Sequence, residues 1–98
     1  MKLELEKMIA LQNYFKDKPV VKAYLFGSYV RGQATKNSDI DILLELDYNQ
    51  RIGLGFVQMK LDLEEILRKD VDLVTSGSLS NYIMPEIDKE KQLIYARQ

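Results

Sequence analysis

Hydrophobic and polar positions alternate along this chain with two distinct periods. Leu5, Met8, Leu11 and Phe15 recur at steps of three and four with Lys and Glu between them, which predicts a first helix over Met1–Lys18 that Pro19 ends. Val20 to Phe26 is rich in β-branched and aromatic residues and predicts a strand. Ser28 to Ala34 predicts a short helix or turn, and Ile40–Leu46 a second strand whose unbroken apolar stretch calls for cover on both faces. Asp47 to Gly55 has no periodicity and predicts a loop. Phe56, Met59, Leu63, Ile66 and Leu67 then predict a helix from about Phe56 to Lys69. A third strand is expected over Val71–Thr75, a turn at Ser76-Gly77-Ser78, and a helix from Leu79 to about Glu90, in which Pro85 fits only near a start or a kink. Leu93-Ile94-Tyr95 is compatible with a short strand or a docking tail. The expected order αβαβαβα gives an α/β (α+β) fold, a small mixed sheet packed with helices. No repeat, linker or low-complexity tract divides residues 1–98, so a single domain is expected.

Composition narrows the chemistry more than the architecture. There is no Cys and no His among the 98 residues. That excludes disulfides, thiolate nucleophiles, imidazole bases and zinc held by Cys or His. Catalysis must run on carboxylates, hydroxyls, Lys and Arg, and a metal must accept oxygen ligands, which selects Mg²⁺ first and Mn²⁺ second. With 14 Lys+Arg against 15 Asp+Glu there is no basic excess, so a long polynucleotide is not favoured as a partner. No signal peptide or apolar run of spanning length is evident, and a cytoplasmic location without membrane contact is expected.

The chemistry concentrates between Gly27 and Asp41. A Gly27-Ser28 pair closes the first strand, ten residues follow, and Asp39 and Asp41 flank Ile40 at the start of the second strand. Two carboxylates spaced by one strand residue share a side of the sheet and repel each other unless a cation sits between them. The Gly-Ser turn offers backbone N–H groups and a hydroxyl to a phosphate. Arg31, one helical turn after Ser28, can reach the same phosphate cluster. A phosphate-holding half beside a metal-holding half describes a phosphoryl- or nucleotidyl-transfer site. A bland reading, a solvated strand start and an N-cap serine, leaves two acids on a strand where aspartate is disfavoured. Ser38 is expected to bond the local backbone and orient the acids. Glu45 and Asp47 are expected to face solvent, and Tyr24, Phe26 and Phe56 to be core.

These residues resemble the active-site motif of the DNA polymerase β-like nucleotidyltransferase superfamily. They are most similar to its minimal nucleotidyltransferase branch, with the pattern Gly-Ser-x-x-Arg-Gly-x-Ala-x-x-x-Ser-Asp-Ile-Asp-Leu. Gly27, Ser28, Arg31, Gly32, Ala34, Ser38, Asp39, Ile40 and Asp41 stand at the matching places, with Ile42 where Leu is usual. Val71-Asp72-Leu73-Val74 matches a later strand of the pattern. The resemblance implies that Asp39, Asp41 and Asp72 are catalytic and hold two Mg²⁺ ions. It favours Asp72 over Asp70 as the third acid and proton acceptor, and puts Gly27, Ser28 and Arg31 on the phosphates of ATP. It also implies a HEPN-domain toxin as partner, with AMP transferred to one of its tyrosines and the chain acting as antitoxin. The chain leaves little material for an acceptor pocket after the third acid, which is the reason to expect an acceptor on another protein. Two alternatives stand beside this: transfer to a small molecule such as an aminoglycoside, and an antitoxin that binds without chemistry.

Overall fold

The computed structural model describes residues 3–98. Its elements are α1 (Leu5–Phe15), β1 (Val20–Phe26), α2 (Ser28–Arg31), β2 (Ile40–Leu46), α3 (Gly55–Leu67), β3 (Val71–Thr75), α4 (Met84–Glu90) and β4 (Gln92–Ala96). The four strands form one mixed sheet in the order β3-β2-β1-β4. β1 pairs antiparallel with both β2 and β4, while β2 and β3 run parallel, connected through α3. The three predicted strands occupy their expected residues, and the α/β architecture follows.

Three expectations need correction. The expected order αβαβαβα becomes αβαβαβαβ, because Leu93-Ile94-Tyr95 takes the short-strand alternative as part of the edge strand β4. Its pairing with β1 supplies the backbone partners that its own short pattern could not signal. The helix expected from Leu79 begins only at Met84, because Pro85 sits in its first turn, where a missing N–H costs nothing. The first helix is shorter than expected, Leu5–Phe15, and the part of that expectation falling on Met1 and Lys2 lies outside the described residues. Leu5, expected on the buried stripe, is exposed at the helix start.

The two-residue period of the strands separates the faces of the sheet. Ala23, Leu25, Ile42, Leu44, Leu73 and Ile94 point under α1 and α3, where Leu11, Phe15, Met59, Leu63 and Leu67 close the main core. Tyr14 Oη donates to Asp62 Oδ2 at 2.6 Å and Lys7 Nζ to the Leu67 carbonyl at 3.1 Å, fastening α1 to α3. Leu43 faces the opposite way and is also buried, as is Ile87 of α4, and neither joins that core. β2 is therefore covered on both faces along most of its length, as its apolar run requires, and polar side chains enter it only at Asp41 and Glu45. Leu63 has no exposed surface, and on a helix its replacement by Ala is neutral for backbone propensity. Leu63→Ala should then report cavity and transfer cost alone, about 2–4 kcal/mol. Urea unfolding should show a lower midpoint with an unchanged slope.

Candidate active site

The sheet ladder assembles the site. Asp41 is the register partner of Phe26 on β1 and of Asp72 on β3. Neighbouring strands lie about 4.8 Å apart, so the ladder puts the two acids side by side on the face opposite α1 and α3. Asp39 lies just before β2 instead of inside it and is exposed, as is Asp72, while Asp41 is half-buried. Asp70 lies outside the ladder and is not in register with Asp41; its backbone carbonyl accepts the Ile40 N–H at 3.0 Å. Asp70 instead lines an open cleft of about 510 Å³ with Lys36, Asp39, Arg68 and Lys69.

Electrostatics mark Asp41 as the centre of the cluster. Burial, then the charges of Asp72 and Asp39, push its carboxyl up to about 6, with Glu90 adding to the shift and Arg31 opposing it. A carboxylate in that field is stabilised by any cation that joins it. The donor set is oxygen only, which fits Mg²⁺ or Mn²⁺. Among the described residues, however, no three acids are gathered closely enough to hold an ion as they stand. Asp41 and Asp72 are thus register partners and Asp39 acts on Asp41 through its charge, but the three-acid cluster expected from the sequence is not gathered among the described residues.

Gly27 is fitted to Asp41. Its φ of 77° lies in the left-handed region, and a Cβ there would overlap Asp41 Oδ2 and come within 2.9 Å of Cγ. The chain therefore turns directly over the carboxylate only because residue 27 has no side chain. Gly27→Ala should cost about 1–3 kcal/mol through strain and overlap, with Asp41 forced from its place. A lower melting temperature together with lost transfer activity would report both effects.

Ser28 opens α2, and its carbonyl accepts the N–H groups of Gly32 and Gln33. A helix of four residues has little dipole, so anion affinity here rests on individual donors. Ser38 Oγ accepts the Thr35 N–H at 2.9 Å, the local backbone bond expected of it. Arg31 points back along the turn: its Nε donates to Gln33 Oε1 at 3.2 Å and its terminal nitrogen to both carboxylate oxygens of Glu90 at 3.0 Å. Glu90 Oε1 also accepts the Gly27 N–H at 3.0 Å. Sequence reasoning passed over Glu90. One signal was available, since an acid in the last turn of a helix opposes the helix dipole and wants a cationic partner from elsewhere.

Asp47 differs from its expected solvent-facing role. Arg97 bonds it at 2.9 Å and Gln50 at 3.1 Å, and these bonds hold its carboxyl below the usual range. It ties the end of β2 to the residue after β4. Tyr24, Phe26 and Phe56 are half-buried, and Lys91 Nζ lies 4.3 Å from the Tyr24 ring centre.

A carboxylate pair in strand register, a glycine turned over it and an arginine beside the turn thus meet at one end of the sheet. Residues 10–98 match the family described as polymerase beta, nucleotidyltransferase, and the chain belongs to that family. A relative in Methanocaldococcus jannaschii, provisionally named a protein adenylyltransferase, is 45% identical over 83 residues, 82% of this chain and 81% of that protein. A toxin–antitoxin crystal structure with AMP-PNP contains a chain 26% identical to this one. The match has a TM-score of 0.74 and covers 97% of this chain and 76% of that one. A further match, also 26% identical with a TM-score of 0.64, is a chain in the complex of a tri-AMPylated Shewanella oneidensis HEPN toxin with an MNT antitoxin. It covers 95% of this chain and 70% of that one. These neighbours bear out the resemblance to minimal nucleotidyltransferases. Among the described residues, no helix is long and apolar enough to cross a membrane.

Proposed function

We propose that this protein is a Mg²⁺-dependent protein adenylyltransferase of the cytoplasm, built as one domain over residues 1–98. It transfers AMP from ATP to a hydroxyl, a tyrosine first, on a HEPN-domain toxin and so acts as its antitoxin. The observation that carries the chemistry is the Asp41–Asp72 register pair beneath the Gly27 turn. Asp39, Asp41 and Asp72 would hold the metal, which when bound supplies charge neutralisation at the phosphates. Ser28, the backbone of the Gly27 turn and Arg31 bind the β- and γ-phosphates and aim the α-phosphorus at the acids. The acceptor oxygen bonds to that phosphorus, the bond to the β-phosphate bridging oxygen breaks, and pyrophosphate leaves. Asp72 takes the hydroxyl proton, its exposure leaving it open to an incoming acceptor.

Support for a protein acceptor comes from the openness of the site, where Asp39, Asp72 and Arg31 are all exposed. A small molecule would need walls to be held in line, whereas a docked protein surface brings its own. The net charge of −1 gives no steering toward RNA. The AMPylated toxin in the Shewanella complex supports AMP as the transferred group.

The test mixes the chain with its cognate HEPN protein, ATP and Mg²⁺, and reads the partner by intact-mass spectrometry. Increments of AMP on a tyrosine, absent with Asp39→Asn/Asp41→Asn, are expected, together with loss of toxicity. Protection by the double variant equal to wild type would make this a binding antitoxin.

A further inference from the structure

Glu90 is the last residue of α4, and its carboxylate engages two of the donors that the proposed reaction assigns to phosphate. Oε1 takes the Gly27 N–H and a terminal nitrogen of Arg31, and Oε2 takes the same nitrogen, all at 3.0 Å. The side chain is mostly enclosed, 23% exposed against 49% for Arg31. Arg31 Nε is meanwhile engaged by Gln33. A carboxylate edge accepting from a backbone N–H and a guanidinium imitates a phosphate edge in charge, acceptor number and spacing. One N–H cannot serve both anions, and two anions placed together on it repel.

We propose that Glu90 is an internal counter-anion seated on the phosphate donors of this site, and that the terminal phosphate of a nucleoside triphosphate displaces it on binding. The inference rests on the function proposed above and adds an affinity- and selectivity-determining residue to it. Displacement sets a threshold. A ligand that touches only the Gly27 N–H and Arg31 gains little more than it releases, so orthophosphate should bind poorly. A triphosphate carries further oxygens to Ser28 and to the metal side, and exceeds the threshold. Release of Glu90 also frees the C-terminal end of α4, while Ile87 keeps the helix anchored.

The experiment is calorimetric titration of the full chain with Mg²⁺-ATP, tripolyphosphate and orthophosphate. Glu90→Gln keeps the length of the side chain and an acceptor for the Gly27 N–H but removes the charge. It should tighten ATP and tripolyphosphate roughly five- to tenfold, more at low salt, and make orthophosphate binding measurable. Arg31→Ala should weaken triphosphate binding in both backgrounds. Equal or weaker binding by a folded Glu90→Gln protein would overturn the proposal, since Glu90 would then be holding Arg31 in place for the ligand. A folded wild type that binds no triphosphate even with Mg²⁺ would instead remove the nucleotide reading, and the displacement with it. Wild-type protein provides a measurement independent of the variant's folding: NMR titration with tripolyphosphate, following the Gly27 amide and the Glu90 side-chain carboxyl carbon. Both should move along one saturating curve. A Glu90 carboxyl that stays unmoved at a saturated site overturns displacement.

Discussion

Asp41→Asn is expected to abolish nucleotidyl transfer and, in the same protein, to stabilise the metal-free fold near neutral pH. The two effects have one origin. Asp41 is half-buried, and burial together with Asp72, Asp39 and Glu90 outweighs the help of Arg31, raising its carboxyl to about 6 from an ordinary 3.8. A carboxyl whose folded value is raised favours folding when protonated. Its contribution is therefore fully present below about pH 4 and is lost as pH rises through about 6. Asparagine carries no charge to lose, so thermal melts should show the wild type falling between pH 4 and 6 relative to a flatter variant. Transfer should meanwhile drop at least about a thousandfold, on the order of 4 kcal/mol of transition-state stabilisation. Mg²⁺ with ATP should raise the wild-type melting temperature and leave the variant nearly unchanged. A variant that keeps the full ligand-induced shift would remove Asp41 from the metal site.

Asp72→Asn should lose transfer on a similar scale, while Asp70→Asn keeps it. The two residues are separated only by Val71, and composition offers no distinction between them. The ladder does: Asp72 is the partner of Asp41, whereas Asp70 is held through its backbone at the entrance of β3. If Asp72 takes the proton, as proposed, its loss should fall on kcat with nucleotide affinity largely kept. Single-turnover transfer measured beside calorimetric ATP binding separates the two. An active Asp72→Asn with a dead Asp70→Asn would reverse the assignment.

Most of the architecture was legible because local pattern and tertiary need coincide. Ile40–Leu46 reads as a doubly covered strand, and its side chains are buried on both faces except at Asp41 and Glu45, which are half-buried. Gly27 and Asp41 could be named from spacing alone. Why residue 27 must be glycine could not, since the reason is a carboxylate fourteen positions later occupying the space of a Cβ. β4 was poorly legible because its stability comes from pairing with β1, some seventy residues earlier, and only Ile94 of its side chains is fully buried. The place of Glu90 in the last turn of α4 hints at a cationic partner, but nothing local names Gly27 and Arg31, which lie 63 and 59 residues earlier. Local signals report faces and turns. They do not report which charge will meet which.

The parallel pairing of β2 with β3 has a further implication for how this catalytic unit tolerates change. Asp41 and Asp72 are thirty-one residues apart in the chain, yet their separation is set by one strand spacing and not by what connects them. The connection begins with an anchored stretch, Asp47 to Gln50, and continues through exposed Arg51, Gly53 and Leu54 before α3. Length added beside exposed Arg51, ahead of Ile52, which packs against the core, changes loop entropy slowly and leaves intact the strand register that sets the two acids. That point is where foreign sequence or an affinity tag is expected to be accepted with the chemistry preserved, provided α3 keeps its seat on the sheet.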